Sequence, residues 1–199
     1  DYTSRQKDVY NVLINSYKTA TSMIRPGITY REVHVAVWAK IAEGLKALGL
    51  MKGDAMEAAE AGAVAMFMPH GLGHMMGMDV HDMENYGEVY VGYPRGAQKD
   101  PRFGFRSLRL GRTLEPGFVF TVEPGIYFIP ELINQWRAAG KFTDFICYDK
   151  LDAWKDFGGM RNEEDYLITE TGSRHLGLRK PVDIEEILAC KNGTFTPYI

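Results

Sequence analysis

Apolar residues recur every three or four positions at the start of the chain, which is the period of an amphipathic helix. Thr3 followed by Gln6 is a capping-box pattern and predicts that a first helix begins there. Pro26-Gly27 ends this helix, because proline cannot continue the hydrogen-bonding pattern and glycine favours a turn. The predicted apolar face contains Val9, Val12, Leu13, Tyr17, Ala20 and Ile24.

A second capping box, Thr29 with Glu32, predicts a second helix, and Gly49 is well placed to end it. An Ala- and Glu-rich stretch at residues 54–61 predicts a third, shorter helix. The apolar face of the second helix contains Val37, Trp38, Ile41, Leu45 and Leu48.

From Val64 onward the pattern changes to short apolar runs separated by Gly, Pro and Asp, which is typical of strands. Two longer stretches, residues 83–113 and 129–157, are rich in charge, glycine and aromatic residues and predict irregular loops. Long ordered loops of this kind often form binding or lid elements. The runs predicted as strands are FMPHG (67–71), PGFVFTVEPG (116–125) and MRNEEDYLIT (160–169).

The tail adds one more helix, for which Asp183 is the candidate N-cap and which extends through Cys190. Helices first, strands next and a helix last favour the α+β class, with helices packed on one face of a mainly antiparallel sheet. A length of 199 residues is enough for one sizeable core and argues against a second full domain.

The composition is ordinary for a soluble globular protein, with 45% hydrophobic and 25% charged residues. No stretch approaches the roughly twenty apolar residues of a membrane span. A net charge of −3 gives no reason to expect nucleic acid or an anionic membrane as a partner. Cys147 and Cys190 are far apart, which favours free thiols in a reducing cytoplasm over a disulfide framework.

The segment HGLGHMMGMDVH (70–81) concentrates three of the five histidines between glycines that let another group approach the backbone closely. These residues alone fit a metal site, a catalytic set or a glycine-rich turn equally well. The other two, His34 in a predicted helix and His175 in a predicted polar turn, have no visible partner in the sequence. Both are interpreted as core or solvated histidines.

Carboxylates interrupt two of the predicted strands. Glu123 follows an apolar run, where a buried charge is costly unless it is paired or bound to a metal. The acidic run RNEED (161–165) leads directly into the apolar YLIT, so alternate side chains should face opposite sides. Glu163 and Asp165 then share one face, and Glu164 takes the other.

A neutral imidazole with two carboxylates suits a hard divalent ion such as Mn²⁺. No cysteine lies near these residues, which argues against a structural zinc site. The sequence also contains no HExxH, P-loop or GxSxG motif. Residue chemistry therefore predicts a metal site formed by His74, Glu123 and Glu163.

Three ordered motifs resemble the downstream signatures of the M24 metallopeptidases, and more narrowly those of the prolidase and aminopeptidase P branch. They are MPHGLGHMMGMDVHD (68–82), LEPGFVFTVEPGIY (114–127) and GGMRNEEDYLIT (158–169). The stretch FRSLRLGRTLEPG (105–117) resembles prolidase in particular. The resemblance covers almost the whole chain and implies the C-terminal half of a pita-bread domain, which has helices outside and strands inside.

The family holds two divalent metal ions, usually Mn²⁺ with zinc, cobalt or iron as alternatives, through two Asp, one His and two Glu. His74 matches the histidine, Glu123 the first glutamate, and Glu163 the second, which is expected to bridge both ions. The two Asp lie upstream of the helix at which this chain begins, so no residue here matches them. We therefore expect residues 1–199 to be a single partial domain, the C-terminal portion of a catalytic domain, with weak metal binding and no turnover by itself.

The resemblance also assigns substrate and catalytic roles. His81 matches the histidine that steadies the substrate and the tetrahedral intermediate, and His70 matches a histidine of the pocket. Arg109 matches the arginine that holds a dipeptide's free carboxylate, for which a guanidinium fork is well suited. Arg161 matches an arginine beside the bridging glutamate. With Glu123 as the candidate general base for a water, the candidate catalytic residues are His81, Glu123 and Arg161.

The implied activity is hydrolysis of the peptide bond before proline in small peptides. Arg109 favours an Xaa-Pro dipeptidase, because a carboxylate site so near the metals limits the length of the substrate. An aminopeptidase P acting on longer peptides and a non-catalytic pita-bread binding module are the alternatives, and a methionine aminopeptidase fits less well. The resemblance further implies a homodimer of the complete protein, and we expect no nucleic-acid or membrane partner.

Overall fold

The computed structural model describes residues 1–194, and over that range eight helices and five strands are present. The helices are α1 (Ser4–Met23), α2 (Tyr30–Ala47), α3 (Ala55–Ala61), α4 (Glu84–Gly87), α5 (Val89–Gly92), α6 (Pro130–Ala138), α7 (Tyr148–Leu151) and α8 (Ile184–Lys191). The strands are β1 (Val119–Val122), β2 (Gly125–Phe128), β3 (Gly158–Arg161), β4 (Glu164–Ile168) and β5 (Ser173–His175). Short 3₁₀ turns cover Ala63–Met66, Phe105–Ser107 and Asp152–Trp154.

Both predicted capping boxes begin the two long helices. At α1 the Gln6 N–H donates to Thr3 Oγ1 at 3.2 Å, and the Thr3 N–H donates to Gln6 Oε1 at 2.9 Å. At α2 the Glu32 N–H donates to Thr29 Oγ1 at 3.2 Å, and the Thr29 N–H donates to Glu32 Oε2 at 2.9 Å. Each box satisfies N–H groups that have no partner within the helix, so these helices begin where the sequence predicts.

The long helices pack closely on each other and on β1. A Cβ atom added to Gly44 of α2 would lie 2.5 Å from Val12 Cγ1 of α1, so the absence of a side chain permits this approach. The Tyr30 ring of α2 lies 5.0 Å from the Phe120 ring, and its hydroxyl donates to the Thr121 carbonyl at 2.6 Å. The Tyr30 and Phe120 side chains are both buried, so these contacts hold β1 against α2 in the core.

The strands form two small antiparallel sheets, with orders β1-β4-β5 and β2-β3. Only two residues separate β1 from β2, and only two separate β3 from β4. The four strands therefore make one antiparallel ribbon that passes from one sheet to the other. Helices packed on antiparallel strands confirm the predicted α+β class.

The ribbon bends at two facing dipeptides, Glu123-Pro124 and Asn162-Glu163. β1 pairs with β4 before the bend, and β2 pairs with β3 after it. The Asn162 N–H donates to the Pro124 carbonyl across the bend at 3.2 Å. Both glutamates thus lie at the point where the ribbon changes sheets.

The prediction of a strand at FMPHG (67–71) is wrong. This segment follows a 3₁₀ turn and contains Pro69, which has no N–H to donate to a ladder. It still runs beside the ribbon, because the Tyr127 N–H donates to the Phe67 carbonyl at 2.8 Å. The backbone hydrogen bonds between this segment and the ribbon are too few to form a strand. Farther along the chain, an isolated bridge pairs Met75 with Phe120.

The prediction of an irregular loop over residues 129–157 is also wrong, because α6 and α7 lie within it. Pro130 occupies the first turn of α6, where its fixed φ angle suits a helix and its missing N–H costs nothing. Ile133 and Trp136 bury the inner face of this helix. Residues 83–113 match the prediction better, since they contain only the one-turn helices α4 and α5 and a 3₁₀ turn.

The last helix, α8, is confirmed, although the Asp183 side chain does not cap it. That carboxylate instead accepts a hydrogen bond from the Lys18 ammonium of α1. Cys147 and Cys190 are both free thiols, as predicted. None of the helices within residues 1–194 combines the length and apolar character that crossing a membrane requires.

The two histidines outside the glycine-rich segment have different surroundings. His34 is fully buried, with its ring 4.2 Å from that of Trp38, so it is a core histidine. His175 ends β5, and its Nε2 lies 2.8 Å from Glu164 Oε2. The prediction of a polar turn at His175 is therefore wrong, and the pairing of β4 with β5 gives its side chain a partner that the sequence did not show.

Candidate metal centre

His74, Glu123 and Glu163 lie together, and each offers one ligand atom within 4.8 Å of the other two. The two glutamates come from the facing dipeptides at the bend of the ribbon, and His74 comes from the segment that runs beside β1. His74 and Glu123 are buried, whereas Glu163 is exposed. Three segments that are distant in the sequence thus bring together the predicted trio of ligands, His74, Glu123 and Glu163.

The backbone around His74 fixes the position of its ring. The His74 N–H donates to Thr121 Oγ1, and the Thr121 N–H donates to the His74 carbonyl, each at 3.0 Å. A Cβ atom on Gly73 would lie 1.9 Å from the Thr121 carbonyl oxygen, so only glycine allows this contact between segments. The Nδ1 of His74 lies 3.0 Å from the Met75 carbonyl, which can only accept, so Nδ1 carries the proton.

The remaining nitrogen of His74 faces a carboxylate. Nε2 lies 3.4 Å from Glu123 Oε1, and burial lowers the pKa of His74, which keeps the ring neutral. A lone pair then faces a carboxylate oxygen with no proton between them. A cation bound by both atoms would remove this repulsion, so the donor set fits a divalent metal ion.

Glu123 is held on both oxygens. The Thr121 hydroxyl donates to Oε1 at 3.0 Å, and Arg161 Nη1 lies 3.2 Å from Oε2. Burial raises the pKa of Glu123, and the negative charge of Glu163 raises it further, while Arg161 opposes both effects. The repulsion that the Glu163 charge exerts on ionised Glu123 is a second feature that a bound cation would relieve.

Thr121 is a residue of the site that the sequence reasoning missed. Its hydroxyl accepts from the His74 backbone and donates to Glu123, so it connects two candidate ligands. Thr121 is 1% exposed and stands two residues before Glu123, on the same face of the extended chain. A polar residue at that spacing within an apolar strand is a signal that could have identified it.

His81 lies beside His74, with ring centroids 4.4 Å apart and planes nearly perpendicular. Its Nδ1 lies 2.9 Å from Glu84 Oε2, so the ring N–H donates to this carboxylate and Nε2 is the free nitrogen. Glu84 was not predicted as a site residue. Its other oxygen, Oε1, accepts from Arg109 Nη2 at 2.5 Å, which connects two of the candidate substrate-binding residues, His81 and Arg109.

His70, Tyr127 and Arg161 form a second group beside the trio. The His70 ring lies 5.5 Å from the Tyr127 ring, and Arg161 Nε donates to the Tyr127 hydroxyl at 2.8 Å. His70 Nδ1 donates to the Gly71 carbonyl, while Nε2 is buried and has no hydrogen-bond partner within residues 1–194. Burial lowers the pKa of His70 to about 4, so Nε2 is a buried acceptor. Tyr127 was also missed by the sequence reasoning.

All seven predicted residues therefore lie in one connected neighbourhood, and their individual roles stay predictions. They are His70, His74, His81, Arg109, Glu123, Arg161 and Glu163. An imidazole and two carboxylates that could hold a metal ion, with a flanking histidine and two arginines, form the kind of site that metal-dependent hydrolases use.

The chain belongs to metallopeptidase family M24, whose sequence profile matches residues 1–170. It is 41% identical over 194 residues to the Xaa-Pro dipeptidase of Rattus norvegicus, covering 96% of this chain and 37% of the relative. It is 40% identical over 202 residues to the Xaa-Pro dipeptidase of Homo sapiens, covering 99% of this chain and 39% of the relative. The chain thus spans less than two-fifths of the length of these relatives.

Solved structures of related proteins confirm the predicted pita-bread type of fold. Zinc-substituted E. coli aminopeptidase P in complex with product superposes with a TM-score of 0.67 at 30% identity, over 98% of this chain and 36% of that one. Proline aminopeptidase P II from Yersinia pestis gives a TM-score of 0.65 at 31% identity, over 96% of this chain and 36% of that one.

Proposed function

We propose that the protein carrying this chain is a metal-dependent Xaa-Pro dipeptidase. The observation that carries the proposal is the connected path from the metal-ligand trio through His81 to Arg109, a cation suited to a dipeptide's carboxylate. The rat and human relatives, both called Xaa-Pro dipeptidase, support the same substrate class. Arg109 also lowers the pKa of His74 through its charge, in keeping with a position near the trio.

Two divalent ions, most simply Mn²⁺, would be held in part by His74, Glu123 and Glu163. The three residues supply an incomplete set for two ions, and we propose that an upstream part of the catalytic domain supplies two aspartates. When bound, such ions polarise a carbonyl group and lower the pKa of a water molecule. We further propose a cytoplasmic protein that forms homodimers.

The remaining catalytic and substrate-binding roles belong to residues of this chain. Glu123, with its raised pKa, is the group that accepts a proton from the attacking water, and Arg161 and Thr121 hold its two oxygens in place. The Glu84 carboxylate holds Nδ1 of His81, so Nε2 is the nitrogen that His81 offers to the substrate. Arg109 binds the substrate's terminal carboxylate.

The second candidate is an Xaa-Pro aminopeptidase, which the aminopeptidase P structures favour. An aminopeptidase needs the far end of the peptide left open, whereas a carboxylate held by Arg109 closes it. A non-catalytic binding module is a third candidate. It has no need of the facing lone pair and carboxylate at His74 and Glu123, which are costly without a cation.

The deciding experiment compares hydrolysis of Ala-Pro and Ala-Pro-Ala by the full-length protein loaded with Mn²⁺. We expect faster cleavage of the dipeptide, and Arg109→Ala should remove that preference. Arg106→Ala is the matched control, because this exposed arginine lies in the same stretch and outside the site. Preference for Ala-Pro-Ala would establish the aminopeptidase instead, and cleavage of neither peptide would leave the binding module.

Metal binding has a separate test. Full-length protein should bind close to two Mn²⁺ per chain by calorimetry or elemental analysis, and Glu163→Gln should lower this stoichiometry or weaken affinity at least tenfold. Glu170→Gln, an exposed glutamate beyond β4, is the control. Unchanged stoichiometry and affinity in Glu163→Gln would remove Glu163 from the ligand set.

A further inference from the structure

Arg109 already has acidic partners. Its Nη1 donates to Glu88 Oε2 at 2.9 Å, and its Nη2 donates to Glu84 Oε1. Both terminal nitrogens of the guanidinium that would bind a substrate carboxylate thus contact carboxylates of the protein itself. Each of these nitrogens keeps a second N–H, but a peptide's carboxylate that approaches both of them meets the negative charge of these glutamates.

The two glutamates are held to different degrees. Glu88 also accepts from the Lys99 ammonium at 2.7 Å, and its side chain is 24% exposed, as is that of Lys99. Glu84 is 42% exposed and lies on the one-turn helix α4, which has no side-chain cap. Glu88 is therefore the fixed partner of Arg109, and Glu84 is the partner that can be displaced.

Glu84 nevertheless has a second contact, with His81. Its Oε2 accepts from His81 Nδ1 while its Oε1 contacts Arg109. Met83, directly before it, adopts a left-handed backbone conformation with φ of 57°, which is uncommon outside glycine. The contacts with Arg109 and His81 hold the pKa of Glu84 below its usual range, so it is a charged competitor at neutral pH.

We propose that Glu84 is an internal mimic of the substrate's terminal carboxylate, which covers Arg109 Nη2 until a peptide displaces it and which orients His81 through its other oxygen. This inference rests on the proposed function, because it takes Arg109 as the carboxylate site. Glu84 is then a positioning residue that sets the affinity for short peptides. Glu88 has the opposite role, since it holds the guanidinium in place for the incoming carboxylate.

The test uses steady-state kinetics of full-length, Mn²⁺-loaded protein with Ala-Pro and with its C-terminal amide, Ala-Pro-NH₂. Glu84→Gln removes the competing charge but keeps an oxygen that can accept from His81. We expect the KM for Ala-Pro to fall about two- to fivefold, as for loss of an exposed ion pair, and to fall by a larger factor than kcat does. The KM for the amide, which carries no carboxylate, should not change.

Two further variants separate this role from a merely structural one. Glu88→Gln should raise the KM for Ala-Pro, opposite in sign to Glu84→Gln, because it loosens the guanidinium. Glu84→Ala should lower both the KM and kcat, since His81 then loses its acceptor. An equal change of KM for Ala-Pro and its amide in Glu84→Gln, or no change in either, would overturn the inference.

Failure of this inference is distinguishable from failure of the proposed function. If unmodified protein prefers Ala-Pro, and Arg109→Ala removes that preference, the dipeptidase assignment stands whatever Glu84→Gln does. If Arg109→Ala leaves the preference intact, the carboxylate site lies elsewhere, and the role of Glu84 is overturned with it.

Discussion

Acidification should destabilise the fold through His34. This side chain is fully buried in α2, with its ring 4.2 Å from the Trp38 ring and 5.8 Å from the Phe105 ring. Neither ring nitrogen has a hydrogen-bond partner within residues 1–194. Burial without a partner disfavours the charged imidazolium and lowers the pKa of His34 from 6.5 to about 3.

The size of the effect follows from proton binding. Below pH 6.5 the unfolded chain takes up a proton at His34 that the folded protein excludes until about pH 3. The stabilisation is therefore fully present above the unfolded-state pKa and is lost as the pH falls. Between pH 7 and pH 5 this one group should lower the free energy of unfolding by about 2 kcal/mol.

Urea denaturation at pH 7 and pH 5 measures this contribution when unmodified protein is compared with His34→Leu. Leucine is apolar and does not titrate, so the difference in unfolding free energy between the two proteins should shift by about 2 kcal/mol in favour of the variant at pH 5. His70 is present in both proteins, so its contribution to the pH dependence cancels in the difference between their unfolding free energies. A difference that stays constant between the two pH values would show that His34 is protonated or hydrated in the folded state.

Two backbone features give further predictions. Gly73→Ala should destabilise the protein by about 1–3 kcal/mol and weaken Mn²⁺ binding, because its Cβ would collide with the Thr121 carbonyl; thermal unfolding and calorimetry measure both. Gly172→Ala is the control, since its Cβ would meet no atom within 4 Å, and equal losses in the two variants would refute the argument. Thr29→Ala should cost about 1 kcal/mol by removing the side-chain half of its capping box with Glu32, and an unchanged Tm would contradict that role.

Local signals made the helical half of the fold predictable. The capping boxes at Thr3 and Thr29 involve residues three apart, so the sequence contains the whole interaction. The segment 67–71 lacked such a signal, because whether it becomes a strand depends on how many hydrogen bonds a distant ribbon offers. Helix α6 was hidden in a charged stretch, where only Ile133 and Trp136 mark a buried face.

The candidate site was also predictable only in part from the sequence. The sequence names His74, Glu123 and Glu163 because each interrupts a pattern or matches a motif. It does not indicate that Tyr127 meets Arg161, or that Glu84 joins His81 to Arg109, since those contacts depend on strand register and on the path of residues 83–109. Thr121 lies between these cases, because its spacing from Glu123 was visible and its contact with His74 was not.

The bent ribbon determines where residues can be inserted into this protein. Residues 129–157 leave β2 after Phe128 and return to β3 at Gly158, and these two residues are partners in the ladder. Residues 129–157 therefore start and end at one fixed pair of ladder partners. Glu123 and Glu163 lie farther along the ribbon, at its bend. Lengthening such a loop twofold costs only about 0.6 kcal/mol in closure entropy. Residues added at an exposed turn within 129–157 should accordingly leave the candidate ligands in place.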